Sequence, residues 1–158
     1  MESTNLILVS SDSQKIEIDT ESAQKSHLLK GLISDFNTQQ EPILIPDVKY
    51  DILKKVVEYL TYYKDKTPKD IPKPMPSSNL NEVIDEWDVN FINSIELDNV
   101  FDLINAANYM DISSLLDLSC AKIASLMKGK TAQEIRTMFN IECDLTDEEL
   151  KEYEEYQI

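Results

Sequence analysis

Glycine is almost missing: Gly31 and Gly129 are the only two in 158 residues. A loop that cradles phosphate needs several glycines close together, so nucleotide binding of that kind is excluded. Cysteine is as scarce. Cys120 and Cys143 cannot build a disulfide framework, and they lack the paired spacing of a structural zinc site. The single histidine, His27, rules out a histidine metal cluster, and no serine has the flanking glycines of a nucleophile elbow. No D-x-D-x-D-G calcium loop is present. No run approaches the ~20 apolar residues a spanning helix needs, so no membrane partner is expected. Basic residues are outnumbered, Lys+Arg 15 against Asp+Glu 30, for a net charge of −15. Such acidity argues against nucleic acid, whose binding rests on clustered Lys and Arg at phosphates. No cofactor and no enzymatic activity are expected.

What remains is a globular composition, 42% hydrophobic, of a length that suits one domain with an appendage. Residues 1–5 have neither the basic start nor the apolar core of a secretory signal. The two cysteines are therefore expected as reduced thiols in cytosol or nucleus. Cys120 sits inside an apolar helix and is expected to be buried. His27 reads as a helix-surface or half-buried residue.

Runs 6–9 (LILV) and 15–18 (KIEI), separated by turn-rich 10–13 (SSDS), predict a hairpin. Residues 21–36 predict one helix with Leu28, Leu29, Leu32, Ile33 and Phe36 at helical spacing. Residues 42–46 (PILIP) predict a third strand. Residues 51–64 carry a clear stripe of Ile52, Leu53, Val56, Val57, Leu60 and Tyr63. Four prolines in 65–76 mark a loop. Structure resumes at 87–92, and 100–110 is apolar on nearly all sides, predicting a centrally buried helix. Asp111 is placed to cap a helix over 112–128 whose stripe is Ile112, Leu115, Leu116, Ile123, Leu126 and Met127, with Leu118 pointing elsewhere. Thr131 and Glu134, then Thr146 and Glu149, form two capping boxes that open two short helices. The first has a stripe of Ile135, Met138 and Phe139; the last offers only Leu150, Tyr153 and Tyr156. The fold class is mixed α/β (α+β). Helices below ~12–15 residues are marginal alone, so these stripes call for a surface to cover, such as a partner's helix. The last helix is expected to order only with that partner. Tyr59, Tyr62 and Tyr63 cluster at one helix end, where interface and simple packing both remain open.

Several segments together resemble one family. They are 10–12 (SSD), 52–59 (ILKKVVEY), 87–92 (WDVNFI), 100–112 (VFDLINAANYMDI), 115–118 (LLDL), Cys120, 128–131 (KGKT), 134–136 (EIR) and 139–141 (FNI). The chain resembles the S-phase kinase-associated protein 1 family, adaptors of SCF-type ubiquitin ligases, from about residue 5 to 155 and most densely over 100–141. The resemblance implies a BTB/POZ-type domain with a small three-stranded sheet over 1–110, including a flexible loop at 65–80. It implies C-terminal helices over 111–158 and no catalysis. It also implies a cullin partner at Asn108 and Tyr109, and F-box proteins at Leu116, Cys120, Ile123, Met127, Phe139 and Ile141. Weak self-association of the free chain and a cytoplasmic and nuclear location go with it. A related adaptor role outside SCF is the alternative. Elongin-C-like chains end near the equivalent of residue 112, whereas a kinetochore F-box complex would use the same surface.

This chain departs from the pattern in four places. The acidic insertion before 42–46 is nearly absent, and tyrosines stand at 59–63 where relatives carry Trp and a His pair. The tail at 144–147 (DLTD) lacks the proline that some protist members hydroxylate and glycosylate. The end of the chain lacks the tryptophan that helps grip F-box proteins. Charge is distributed in keeping with the implied site. Residues 111–141 carry three acidic against four basic groups, net +1, while 142–158 carry eight against one and 65–110 nine against three. A near-neutral, apolar segment lies between two acidic ones.

Overall fold

A computed structural model of the chain describes residues 5–35 and 41–155. Phe36, Tyr156, the site of the shortened insertion at 36–40 and the end of the tail lie outside the described residues.

The hairpin forms where the alternation placed it. β1 (Asn5–Val9) pairs antiparallel with β2 (Lys15–Asp19), with Leu8 opposite Ile16. The turn closes with Ser10 N donating to the Gln14 carbonyl at 2.9 Å and Ser13 in the left-handed region at φ 63°. Leu6, Leu8 and Ile18 face the core, while Ile7 faces out. β3 (Ile43–Leu44) lies along the other edge of β1, in parallel, giving the order β2-β1-β3. A parallel neighbour needs a crossover connection, and residues 20–35 are in it.

That crossover is two helices, not the single one expected. α1 (Thr20–Ala23) is capped by Asp19, whose carboxylate accepts from Ser22 N at 3.1 Å. α2 (His27–Asp35) starts afresh after a break at Ser26. The buried Ser26 hydroxyl accepts from Leu29 N and donates to the Met110 carbonyl, 84 residues away. A serine able to cap a helix and satisfy a buried carbonyl at once ends one helix and begins another.

α3 (Tyr50–Tyr62) buries Ile52, Leu53, Val56, Val57, Tyr59 and Leu60, the expected stripe with Tyr59 added. After a short 3-10 turn (Leu80–Glu82) come α4 (Glu86–Asn93), α5 (Leu97–Tyr109), α6 (Ser113–Met127), α7 (Ala132–Phe139) and α8 (Asp147–Glu155). The core runs through Leu8, Leu29, Leu53, Leu60, Leu103, Met110 and Leu115, all fully buried. Each such side chain contributes about 1.5–3 kcal/mol relative to exposure.

The tyrosine cluster resolves in favour of packing. Tyr59 and Tyr63 are buried, and Tyr62 stacks on Trp87 with centroids 3.6 Å apart. The Tyr63 hydroxyl donates to buried Asp88 at 2.7 Å. Burial pushes the Asp88 carboxyl above its usual range, and burial, then the Asp88 contact, pushes the Tyr63 hydroxyl up.

Two further expectations are corrected. α5 is not apolar-faced all round: Val100, Leu103, Ala106 and Ala107 are buried, but Phe101 is 41% exposed and Ile104 half-buried. Asp111 does not cap α6. Its backbone is left-handed at φ 51°, its carboxylate meets His27 Nδ1 at 3.2 Å, and Ile112 occupies the cap position without a side-chain bond.

Candidate functional site

An α-helix turns 100° per residue, so one helix can present three distinct strips to three neighbours. α6 does so. Its inner strip, Leu115, Leu118, Ser119 and Ser125, is buried against the rest of the fold. Leu118 therefore points into the core, against the expectation that it points elsewhere. The two serines satisfy their hydroxyls within the helix, on the Leu115 carbonyl at 2.8 Å and the Lys122 carbonyl at 2.7 Å, which lets a polar residue sit inside.

The outer strip is Leu116, Cys120, Ile123 and Met127, at spacings of four, three and four. Leu116 and Ile123 are half-buried with their inner edges on the core, while Cys120 and Met127 are exposed. Cys120 is thus a surface thiol, not the buried one expected, because it lies on the side of the helix opposite the inner strip. Partial desolvation, then the Asp117 carboxylate, raises its pKa, which keeps it a thiol at neutral pH.

A third strip faces the loop at 71–75. Ile71 and Met75 pack on the core, Lys73 Nζ pairs with Asp117 Oδ1 at 2.7 Å, and Lys128 Nζ donates to the Met75 carbonyl at 3.0 Å. The Asp117 contact holds the Lys73 ammonium above its usual range. The prolines mark this segment as a loop but not where it lies. The apolar Ile71 and Met75 among them were the one signal that it packs.

α7 opens with the expected capping box: Glu134 N donates to Thr131 Oγ1 at 3.2 Å and Thr131 N to Glu134 Oε2 at 2.8 Å. It closes with Asn140 left-handed and Ile141 N reaching back to the Arg136 carbonyl at 2.8 Å, a C-terminal motif that redirects the chain. No α7 residue is fully buried. Phe139 meets Phe101 of α5 edge-on at 5.7 Å, and Ile141 beyond it is 55% exposed. Phe101, expected inside a buried helix, is instead an apolar surface residue next to Phe139. α8 has the second capping box, Thr146 with Glu149, and forms a helix here although order was expected only with a partner. Its Tyr153 is 54% exposed.

Asn108 and Tyr109 end α5 on its outer side, both exposed. They lie next to a junction where His27 N and Leu28 N donate to the Asp111 and Met110 carbonyls. The structure therefore presents two separate groups: an exposed pair at the end of α5, and an apolar strip along α6. Phe139 is tied to Phe101 of α5. Among the described residues no group of three or more His, Cys, Asp and Glu side chains is arranged to hold a metal ion.

Two family models match the chain. One, described as the Skp1 family tetramerisation domain, matches residues 4–65, and the other, the Skp1 family dimerisation domain, matches 113–157. A Tetrahymena thermophila protein named S-phase kinase-associated protein 1 homolog is 48% identical over 147 residues, 93% of this chain and 88% of that protein. Talaromyces marneffei sconC, named an E3 ubiquitin ligase complex SCF subunit, is 40% identical over 147 residues, 93% of this chain and 91% of its own. The sconC protein of Aspergillus oryzae is 39% identical over 149 residues, covering 94% and 91% respectively.

Proposed function

Because the chain belongs to the Skp1 family, we propose that it is a non-catalytic adaptor of an SCF-type E3 ubiquitin ligase, joining a cullin scaffold to F-box substrate receptors for ubiquitin-dependent degradation. The observation that carries this reading is the outer strip of α6, four apolar side chains in register of which the chain's own core covers Leu116 and Ile123 only in part and leaves Cys120 and Met127 exposed. A groove or strip of this kind takes an amphipathic partner helix by its i, i+3, i+4, i+7 anchors. Residues 1–110 act as the cullin-docking part through Asn108 and Tyr109. Residues 111–158 hold the F-box through Leu116, Cys120, Ile123, Met127, Phe139 and Ile141. The near-neutral charge of 111–141 supports the same division, since an apolar partner helix meets little repulsion there while the acidic flanks keep the free chain soluble. The adaptor contributes proximity: it converts an encounter between receptor and scaffold into an intramolecular one. It works in cytoplasm and nucleus.

The test is co-purification of the full chain with an F-box segment and a cullin N-terminal domain. A ternary complex on size exclusion is expected, and its absence overturns the proposal. Asn108→Lys with Tyr109→Lys should release the cullin and spare the F-box. Loss of both together would overturn the two-surface assignment.

A further inference from the structure

Residues 71–75 lie against α6 although more than thirty residues separate them from its start. The two lysine ties described above, Lys73 to Asp117 and Lys128 to the Met75 carbonyl, hold this strap in place. Between strap and helix runs a groove of about 310 Å³. Pro72, Pro74 and Met75 form one wall, and Cys120, Ala121 and Ala124 the other. The small side chains at 121 and 124 keep the groove open; a larger residue at either would fill it.

Helical geometry relates this groove to the outer strip. Leu116, Cys120, Ile123 and Met127 centre on one direction, and Asp117, Cys120, Ala121 and Ala124 on a direction about a quarter-turn further round. Cys120 belongs to both. The groove is therefore continuous with the outer strip, and the strap flanks that strip without covering it.

We propose that the strap at 71–75 is a second wall of the receptor site, and that the bound F-box helix inserts an aliphatic or aromatic side chain into the groove beside Cys120 and Ala124. The proposal rests on the adaptor function above and adds a part of the site that the α6 strip does not contain. Three observations choose this occupant. The groove opens onto the same strip that takes the receptor, so one partner reaches both. Its volume lies at the low end of the ~300–1,000 Å³ of small-ligand pockets, enough for side chains but not for a helix. The charges at its rim, Lys73 and Asp117, already neutralise one another, so a charged ligand finds no free counter-ion there.

The test measures affinity of the full chain for an F-box segment and, separately, for a cullin N-terminal domain. Ala124→Lys sets an unpaired cation in the groove and should weaken F-box binding at least about tenfold, because a desolvated charge without a partner is costly. Lys73→Glu faces Asp117 with a like charge, should displace the strap, and should weaken F-box binding about fivefold. The double exchange of Lys73→Glu with Asp117→Lys should return affinity to within about twofold of the parent chain. Cullin affinity should stay unchanged throughout, which also reports folding; Lys73 is exposed, so its variants guard against a folding defect at Ala124. If the parent chain binds the F-box and neither single variant shifts affinity beyond twofold, the strap is no part of the site. If the variants change self-association and leave F-box affinity alone, the groove belongs to a second copy and the proposal is overturned. If the parent chain fails to bind the F-box, it is the adaptor function that falls.

Discussion

α3 and α7 are both amphipathic helices, yet six of the 13 residues of α3 are buried and none of the eight of α7 is. The difference lies in what each stripe meets. The α3 stripe is covered by β2, α1 and α5, all elements of its own chain. The α7 stripe of Ile135, Met138 and Phe139 reaches only half-burial, with Phe139 resting on Phe101. α7 is held instead by its ends, through the Thr131 capping box and the left-handed Asn140. A helix anchored by local chemistry while its apolar side stays open is arranged to receive something. A helix anchored by its stripe is scaffold. α6 combines the two, with its inner strip as scaffold and its outer strip as surface.

The comparison is broken most decisively from the scaffold side. Leu103→Ala, in the fully buried part of α5, should cost about 2–5 kcal/mol in urea unfolding, because the cavity left behind adds to the lost transfer energy. Ile141→Ala, on the open surface, should stay within about 0.5 kcal/mol. Equal costs would mean that the C-terminal helices are as integral to the fold as α5. Next in size is Tyr63→Phe, which strips buried Asp88 of its hydroxyl donor. An unsatisfied buried acceptor costs about 1–3 kcal/mol, readable as a lower unfolding midpoint at neutral pH.

Thr131→Ala removes the side chain that caps α7 and should cost about 0.5–2 kcal/mol. The loss should be confined to α7: amide exchange speeds up over 132–139 and stays unchanged in α3. Uniform acceleration would contradict the view that α7 is held by its ends. The smallest effect is a pH dependence. Backbone and side-chain hydrogen bonds from Thr131 and Thr146 lower the pKa of Glu134 and Glu149 below 4.5. A carboxylate with a depressed folded pKa stabilises above its unfolded value and loses that contribution as pH falls through the folded one. Both capping boxes should therefore open on acidification below about pH 4.5, with α7 and α8 fraying at their N-termini while the exchange protection of α3 persists.

Much of this molecule was legible in its sequence. The hairpin, the α3 stripe and both capping boxes were read from alternation, helical spacing and the Thr-x-x-Glu pattern, because each depends on residues within a turn or two of one another. The candidate site was marked by the family pattern, at Asn108, Tyr109 and the apolar positions of 116–141. It was misread where burial had to be assigned. Cys120 belongs to a helix rich in apolar residues and is nonetheless on the surface, and Leu118 lies inside. Both errors have one cause: α6 has apolar residues around most of its circumference, so its periodicity cannot say which strip is covered.

By itself, then, the sequence determined the local elements, their caps, an acidic background with a near-neutral gap, and the family. Tertiary structure alone decided the split between α1 and α2, the left-handed Asp111, the inner strip of α6 and the position of the strap. Those features hang on contacts such as Ser26 to Met110, 84 residues apart, and Lys73 to Asp117, 44 apart. A local pattern specifies what a segment can form. Which side of it is buried depends on distant residues brought alongside, and that is settled only when the chain closes on itself.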